Sequence, residues 1–444
     1  MKKLTVTCVF ILIHMIICSS FFPIFAQSGN KPHRMEWLKD AGLGLFIHWS
    51  LDSQIGTVIS HSLVGASDDY VDRFFKELPR TFNPNHFDAN EWARLAKVCG
   101  FRYVVFTTKH HSGFCMFNTK TSDFNIMNTP YGEDITKQIV EAFRRYGIAI
   151  GFYFSPDDFY FLYKQGKLIS RRRSEALPVN NPELMEHNKK QIRELFTQYG
   201  LIEVLFIDGQ ADGIRELAWK LQPEVLITRG AIRTPEISPS TGKKLPQELL
   251  TEPWEACFTL GTSWQFKPTH EKYRSGTEWI ETLIETRAKG GTMLLNIGPE
   301  PNGQIPKEQE NILRELGAWM FINGEAIYSV RPWIVTNEGN IWFTRKKNKS
   351  TVYAFITKTN WKWGTQKTFT LKSVKATPHT VVSVLGQNDQ VLEYRPEVIP
   401  KTTWKQDEEG LHITAYRAQR IYNDRTWPNP VVLKITHAAQ GNLP

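Results

Sequence analysis

Polar side chains that can transfer protons or bind hydroxyl groups follow several short apolar runs of the sequence. The run VLFIDG ends in Asp208 and a glycine, and three other runs end in His48, in His110 and His111, and in Arg229. Apolar runs of this length are typical of strands buried on both faces of a parallel sheet. Because the carboxyl ends of such strands meet at one end of a barrel, we expect these side chains to surround one pocket. Together they could bind a sugar and cleave the bond at its anomeric carbon.

Cleavage of a glycosidic bond with retention requires two carboxyl groups roughly 5 Å apart. Asp208 suits the nucleophile, because a strand end holds it rigidly and Arg229 at the end of the next strand could keep it ionised. The second carboxyl group remains open between Glu236, on the loop after the Arg229 strand, and Glu255, on or near the following strand. Glu252 is a third possibility and is expected at the surface.

Aromatic and imidazole side chains could complete such a pocket. Trp49 and Trp264 could present apolar faces to a sugar ring. His110 and His111 are adjacent, and neighbouring side chains in a strand point in opposite directions, so a turn must begin there if both line the pocket. No HxH or HExxH spacing supports a metal site, and the sequence predicts no metal and no other cofactor.

Strand-like and helix-like segments alternate from about residue 40 to 330, which favours either a parallel barrel or a doubly wound sheet. We predict a (β/α)8-like, TIM-type barrel, because the polar strand ends come from at least five strands, whereas an open sheet gathers its ligands mainly at one switch point. The predicted helices cover residues 89–98, 134–146, 181–199, 214–221, 277–288 and 306–322, and further strands cover 148–155 and 292–297.

The sequence changes character after residue 333. Short alternating segments such as NIWFTR, TVYAFIT, KTFTLKSV and HTVVSVLG follow, separated by turn residues, and they predict an antiparallel β-sandwich. The predicted organisation is therefore a signal peptide at residues 1–26, a catalytic (β/α) barrel domain at 27–333 and a C-terminal β-sandwich domain at 334–444.

The first residues resemble a secretory signal, with Lys2 and Lys3 before an apolar stretch and a plausible cleavage point after Ala26. We therefore expect export to the periplasm or the extracellular space, with no integral membrane segment after cleavage. The net charge of +9 is spread along the chain except at residues 170–174 (SRRRS) and 345–347, both expected to be solvated surface. Neither this pattern nor any motif predicts a nucleic-acid partner.

Cysteine usage adds no functional signal. Outside the predicted signal peptide, Cys99, Cys115 and Cys257 are odd in number and widely spaced, so they predict neither a disulfide framework nor a zinc site. We expect all three to serve as buried packing residues.

The segments GLGLFIHWS, FTTKHHSGFCMF, FIDG, WEACFTLGTSWQF and GGTMLLNIGPEPNGQIP, in this order, resemble the family 29 glycoside hydrolases, the α-L-fucosidases. The resemblance covers about residues 33 to 333 and ends with INGEAIYSVRPW. It implies a barrel followed by a β-sandwich, and a retaining mechanism that passes through a covalent fucosyl-enzyme without a metal.

The resemblance also assigns roles to individual residues. Asp208 matches the nucleophile, and the other matches are to residues that bind fucose or line its pocket: His48, His110, His111, Arg229 and Trp264. The acid/base matches either Glu236 or Glu255, and we rank Glu236 first because its loop directly follows the Arg229 strand.

Three departures from the family pattern concern the contacts to fucose. Ser112 stands where the family often has aspartate, and the aromatic element near Trp264 reads WQF rather than WGY. The family often has a PAEWY-like element whose glutamate contacts fucose, and here His61 is the nearest polar candidate in that region. These departures leave the nucleophile position intact.

The sequence thus predicts an exported, retaining exo-α-L-fucosidase acting on a fucosylated oligosaccharide or glycoconjugate. One alternative keeps the fold and mechanism but changes the sugar, for example to an α-L-galactoside. A second alternative is a non-catalytic glycan-binding barrel. Linkage preference and oligomeric state stay open.

Overall fold

The computed structural model describes residues 27, 29–237, 243–247, 249–250, 252–347, 350–423 and 425–441. Within these residues eight parallel strands form one sheet: β1 (Leu43–Ile47), β2 (Tyr103–Lys109), β3 (Ala149–Phe154), β4 (Val204–Ile207), β5 (Leu226–Ile227), β6 (Glu236–Ile237), β7 (Glu255–Thr259) and β8 (Thr292–Ile297). The predicted signal peptide, residues 1–26, lies outside the described residues.

Helices connect and cover these strands: α1 (Pro32–Ala41), α2 (Asp68–Lys76), α3 (Leu78–Thr81), α4 (Ala89–Val98), α5 (Ile135–Arg145), α6 (Phe159–Lys164), α7 (Pro182–Gln198), α8 (Ile214–Leu221), α9 (Gly276–Ala288) and α10 (Lys307–Asn323). The six helices predicted from the sequence are confirmed to within two residues at each end. Asp88 caps α4, because its side chain accepts the backbone N–H groups of Asn90 and Glu91.

The sheet curls into a barrel. Its hydrogen-bonded order in the described residues is β5-β4-β3-β2-β1-β8-β7-β6. Tyr103 of β2 nevertheless donates a hydrogen bond to Glu255 of β7, across the interior. The rings of Phe46 in β1 and Phe206 in β4 also meet there, at a centroid distance of 5.0 Å. The predicted barrel class is therefore confirmed, with β5 and β6 at the two edges of the sheet and an isolated bridge between Arg229, after β5, and Ile232, before β6.

The barrel has a closed floor and an open mouth. At the amino ends of the strands, Leu38 and Ala41 of α1 pack into the same interior cluster as Phe46 and Tyr103. The largest apolar cluster lies between the outside of the sheet and the surrounding helices. With the floor filled by apolar side chains, the carboxyl ends of the strands are left as the place for a site.

The C-terminal region is antiparallel: β9 (Val330–Glu338), β10 (Ile341–Lys346), β11 (Val352–Ile356), β12 (Gln366–Leu371), β13 (Val374–Lys375), β14 (Val381–Val384), β15 (Thr403–Asp407), β16 (Gly410–Tyr416), β17 (Val431–Thr436) and β18 (Ala439–Gln440). Five strands form one sheet and three form another within the described residues, with a separate apolar core between them. The predicted sandwich is confirmed. The domain boundary at residue 333 stays a prediction, and β9 spans that position.

Two further sequence predictions concern packing and membranes. Cys99, Cys115 and Cys257 are free and buried, as expected of packing residues. Within the described residues, every helix is too short or too polar to cross a bilayer.

Candidate active site

Asp208 lies directly after β4, at the mouth of the barrel. Side chains in a strand alternate between its two faces, so Asp208 continues the inward-facing row of Val204 and Phe206. Its backbone N–H donates to the Phe154 carbonyl at 3.0 Å, and its side chain is 12% exposed. The strand therefore holds this carboxylate rigidly, with one edge accessible from the mouth.

Among the described residues, four side chains contact the Asp208 carboxylate. The Tyr153 hydroxyl donates to Oδ2 at 2.8 Å, and Nε2 of His111 lies 3.5 Å from the same oxygen. Arg171 and Arg229 each place Nη2 3.3 Å from Oδ1. Burial alone would oppose ionisation, but His111 and the two guanidinium groups outweigh it and hold the pKa of Asp208 well below its usual range. Asp208 is therefore an ionised, oriented carboxylate.

The predicted histidines surround this carboxylate. The chain leaves β2 at Lys109, so the rings of His110 and His111 turn toward the same pocket, with centroids 4.2 Å apart. The His48 ring lies 5.9 Å from that of His110, and the His61 ring lies 5.2 Å from that of His111. The turn that the sequence requires after β2 is confirmed.

A hydrogen-bonded chain fixes His48 and Trp264. Asn296, at the end of β8, has Oδ1 2.6 Å from His48 Nδ1 and donates to the Trp264 carbonyl at 2.6 Å. The Trp264 ring then lies 4.9 Å from the His48 ring. Gly298 allows this approach, because a Cβ there would lie 2.6 Å from the backbone at Gln265. The segment NIGP, residues 296–299, thus positions the Trp264 loop over the mouth.

His110 is held by the loop that follows β1. Its Nδ1 lies 2.9 Å from Ser60 Oγ, and Ser60 has a left-handed backbone with a φ of 58°. The buried Asp52 carboxylate accepts the Ser60 N–H at 2.7 Å, which stabilises that conformation. Burial raises the pKa of Asp52 to about 6. Ser60 Oγ also accepts the N–H of Ser112, so one serine positions the start of the HHS turn.

His111 is held from the β3 side. Its Nδ1 lies 2.5 Å from Ser155 Oγ and 3.5 Å from Asp157 Oδ2. Asp157 also accepts a hydrogen bond from Arg171 Nε at 2.6 Å. Arg171 therefore joins Asp157 to Asp208, with His111 packed between the two carboxylates.

Two buried histidines of the pocket, His48 and His110, favour the neutral form. Burial lowers the pKa of His48 to about 4. Burial, together with His111 and His48, lowers the pKa of His110 well below its ordinary value. Neutral imidazoles both donate and accept hydrogen bonds, which suits sugar hydroxyl groups better than fixed charges would.

Glu236 shares an arginine with Asp208. It begins β6, and its carboxylate forms an ion pair with Arg229 Nη1, while Nη2 of the same guanidinium contacts Asp208. The Glu236 side chain is 27% exposed, so solvent and a leaving group can reach it. The structure therefore brings this candidate acid to the same site as Asp208, on the far side of Arg229.

Glu255 lies at the opposite end of the barrel, which contradicts its candidacy as acid/base. It is the first residue of β7, is paired in register with Thr292 at the start of β8, and is fully buried. The Tyr103 hydroxyl donates to it, and Gly44 leaves room for the Tyr103 ring. Burial raises the pKa of Glu255 to about 7. Because Glu255 is level with Thr292 at the amino end of β8, it lies on the floor and cannot reach a substrate at the mouth.

Trp49 is a core residue, which contradicts its predicted contact with a sugar. Its side chain has no exposed surface, and its ring packs against those of Phe82, Phe87 and Trp92 at 5.2 to 5.9 Å. After His48 the chain turns this side chain behind the sheet. Trp264 alone of the two predicted tryptophans reaches the mouth.

Sequence reasoning missed several residues of the site. Arg171 belongs to the SRRRS segment expected to be solvated, yet it contacts the nucleophile candidate. Tyr153, Ser155, Asp157 and Asn296 were also missed. The sequence pattern could have indicated Tyr153, because side chains alternate along β3 and Tyr153 lies on the same, inward-facing side as Gly151. Arg171 had none, because it returns to the mouth through a long loop.

His110, His111 and Asp208 place possible ligand atoms within 4.8 Å of one another, so they could hold a metal ion geometrically. The charges oppose this, because Arg171 and Arg229 already neutralise Asp208 and would repel a cation. The absence of a metal cofactor stays a prediction, supported by this charge balance.

A parallel barrel whose mouth holds an ionised aspartate among histidines and arginines, with a second carboxylate nearby, is the arrangement of a glycoside hydrolase. Residues 22–325 match the family model described as Alpha-L-fucosidase. The chain belongs to this family, and the resemblance drawn from the sequence motifs is confirmed.

Individual relatives agree over most of the chain. The plasma alpha-L-fucosidase of Rattus norvegicus is 30% identical and covers 76% of this chain and 80% of its own length. The structure of alpha-L-fucosidase isoenzyme 1 from Paenibacillus thiaminolyticus superimposes with a TM-score of 0.71 at 25% identity, over 92% of this chain and 99% of that one. An alpha-L-fucosidase from Bacteroides thetaiotaomicron, trapped as a covalent intermediate with 2-fluoro-fucosyl fluoride, has a TM-score of 0.71 at 22% identity, over 92% of this chain and 97% of that one.

Proposed function

We propose that this protein is a retaining exo-α-L-fucosidase in which Asp208 is the nucleophile and Glu236 the acid/base. The observation that carries the proposal is the Asp208 carboxylate, ionised by its contacts to His111, Arg171 and Arg229 and open to the barrel mouth. Family membership supports fucose as the sugar.

In the first step, an Asp208 oxygen attacks C1 of fucose while the bond from C1 to the leaving oxygen breaks. The leaving oxygen takes a proton from Glu236, and a covalent fucosyl-enzyme forms. In the second step Glu236 removes a proton from water, the water oxygen bonds to C1, and the Asp208 carboxylate is released. The Tyr153 hydroxyl donates a hydrogen bond to Asp208 Oδ2 and keeps this carboxylate oxygen, which does not attack, oriented through both steps.

Glu236 must change its contacts during this cycle. A group that acts as an acid must first be protonated, and a guanidinium in contact favours the ionised carboxylate. Arg229 therefore has to move from Glu236 toward Asp208 when substrate binds, which leaves Glu236 free to carry the proton. The Arg229 side chain is 32% exposed at the mouth and has room for this shift.

The sugar-binding side of the pocket is formed by His48, His110, His61 and Trp264. The neutral imidazoles exchange hydrogen bonds with hydroxyl groups, and the Trp264 ring covers an apolar face of the sugar. Since the other end of the barrel is filled, the pocket accepts the terminal fucose of a fucosylated oligosaccharide or glycoconjugate. Export is part of the proposal, and the basic start and apolar stretch of residues 1–26 support it.

Hydrolysis of 4-nitrophenyl α-L-fucoside tests the assignment. We expect wild-type protein to cleave it and Asp208→Ala to lose at least about three orders of magnitude in kcat. Asp212→Ala is the matched control, because Asp212 is an exposed aspartate of the same loop. Asp208→Asn and thermal unfolding of each variant exclude a folding defect.

The outcomes separate the rival functions. Equal turnover by wild type and Asp208→Ala would remove Asp208 from the mechanism. Faster cleavage of the α-L-galactoside than of the fucoside would reassign the sugar. Binding of fucose without hydrolysis of any aryl glycoside would identify a glycan-binding barrel.

A further inference from the structure

The segment that returns Arg171 to the mouth is strongly basic. Between Asp158 and Glu175 the chain has five cationic residues and no acidic one: Lys164, Lys167, Arg171, Arg172 and Arg173. The segment begins just after the carboxyl end of β3, on the side of the barrel where Asp208 lies.

The acidic neighbours of Arg171 contact only part of its guanidinium group. Its Nε contacts Asp157 and its Nη2 contacts Asp208, while Nη1 has no hydrogen-bond partner among the described residues. The side chain is 30% exposed. Arg171 therefore still has donors to offer a ligand that approaches the nucleophile.

Arg172 and Arg173 stand on a fixed turn beside it. Their backbone N–H groups donate to Ser170 Oγ at 3.2 and 3.4 Å, which holds the turn in place. Both side chains are exposed, and within the described residues neither guanidinium has an ion pair or a hydrogen bond. Because consecutive Cα atoms lie about 3.8 Å apart, the backbone atoms of Arg172 and Arg173 lie within several ångströms of the Arg171 backbone.

The other basic cluster of the chain, residues 345–347, is different. Lys347 forms an ion pair with Asp40 at 2.6 Å, Lys346 donates to the Glu325 carbonyl at 2.9 Å, and Arg345 donates to the Lys346 carbonyl at 3.2 Å. Those charges already have partners. Of these two basic clusters, only the one that contains Arg171 keeps guanidinium groups without a partner among the described residues, and these groups repel one another until an anion binds.

We propose that Arg171, Arg172 and Arg173 form a subsite for an anionic group on the glycan, a sulfate ester or a carboxylate close to the scissile fucosyl bond. The inference rests on the proposed fucosidase function and specifies its substrate class. Arginine forks bind oxyanions through paired, charge-assisted hydrogen bonds, and three of them can hold one such group while Arg171 keeps its contact with Asp208. The subsite thus selects charged fucosylated glycans over neutral ones.

Matched substrate pairs test this. One pair is a fucosyl disaccharide with and without a sulfate ester on the reducing sugar, and the other is a fucosyl uronic acid and its methyl ester. We expect kcat/KM of wild-type protein to be about tenfold higher for the anionic member of at least one pair. The pair that shows the preference identifies the anion, and 0.5 M salt should reduce that preference.

Arg172→Ala combined with Arg173→Ala should abolish the preference through KM, with cleavage of 4-nitrophenyl α-L-fucoside unchanged within about twofold. Lys372→Ala combined with Lys375→Ala is the control, because it removes two exposed cations from the β-sandwich. Equal kcat/KM within both pairs, or an equal loss on charged and neutral substrates in the arginine variant, would overturn the subsite.

A binding measurement separates this inference from the proposed function. If no α-L-fucoside is cleaved, the proposed function fails. Calorimetric titration of wild-type protein with both members of each disaccharide pair still reports on the arginines, because the uncleaved sugars stay intact. About tenfold tighter binding of the anionic member of either pair supports the subsite, and equal binding within both pairs overturns it.

Discussion

The mouth and the floor of the barrel each hold a buried carboxyl group, and the two are in opposite states. At the mouth, Arg171, Arg229 and His111 overcome the effect of burial on Asp208, so its pKa lies well below the ordinary range. On the floor, Glu255 has the Tyr103 hydroxyl as its partner and no contacting cation among the described residues, so burial raises its pKa to about 7.

The difference shows that strand direction, not residue type, decides what a carboxyl group in this barrel can do. Asp208 follows its strand and emerges among loops that bring cations to it. Glu255 opens its strand and faces the side chains that α1 seals from below. Only the first environment creates an ionised group that a substrate can reach.

At the mouth of the barrel, we expect substitution of Glu236 to have a large effect on catalysis. Glu236→Gln cannot donate a proton to the leaving oxygen, so we expect kcat on a fucosyl disaccharide to fall by about 10²–10⁴-fold. The loss should be smaller on 4-nitrophenyl α-L-fucoside, whose leaving group needs little protonation. Steady-state kinetics on both substrates measure the difference.

Glu252→Gln is the control for that experiment, because Glu252 is an exposed glutamate on the segment before β7. It should match wild type. Wild-type turnover of the disaccharide by Glu236→Gln would exclude Glu236 as the acid/base.

On the floor of the barrel, we expect substitution of Glu255 to change the stability of the protein and not its catalysis. The pKa of Glu255 is about 7 in the folded protein against an ordinary value of 4.5, so the native state keeps a proton that the unfolded chain releases between these pH values. Its contribution is present in full below about pH 4.5 and is lost as the pH rises to 7, a change of about 3 kcal/mol. Glu255→Gln should remove this part of the pH dependence of the free energy of unfolding.

Urea denaturation of wild type and Glu255→Gln at several pH values measures that difference. The raised pKa of Asp52 acts in the same direction in both proteins and cancels in the comparison. Identical pH profiles would show that Glu255 is not held protonated. A loss of kcat in folded Glu255→Gln would place it at the site after all.

The smallest effect is expected at Ser60. Ser60→Ala removes the partner of His110 Nδ1 and of the Ser112 N–H, and one hydrogen bond is worth about 1 kcal/mol, so we expect kcat/KM to fall about fivefold, chiefly through KM. Ser62→Ala, which removes only the acceptor of the Tyr70 hydroxyl, is the control. If both variants behave alike, Ser60 does not position His110.

The predictable part of the site came from strands. A strand buried on both faces is visible as an apolar run, and the polar residue that ends it faces the mouth, which located Asp208, His48, His110 and Arg229. The same reasoning, applied to direction, would have excluded Glu255, because it precedes the run ACFT instead of following it.

The unpredictable part came from loops. Trp49 and Trp264 both lie near strand ends, and only the path of the chain turns one into the core and the other over the pocket. Arg171 is separated from β3 by α6 and reaches Asp208 through a fold-back that no spacing encodes. Loop residues are placed by contacts distant in sequence, so their composition alone suggested solvated surface.

The most direct test of the central claim is covalent labelling of the nucleophile. The intact protein is incubated with 2-fluoro-fucosyl fluoride, digested, and its peptides are mapped by mass spectrometry. The ionised carboxylate at the end of β4 predicts one fucosyl adduct, on Asp208, with loss of activity in proportion to labelling. An adduct on another carboxylate, or full inactivation without an adduct on Asp208, would contradict the assignment.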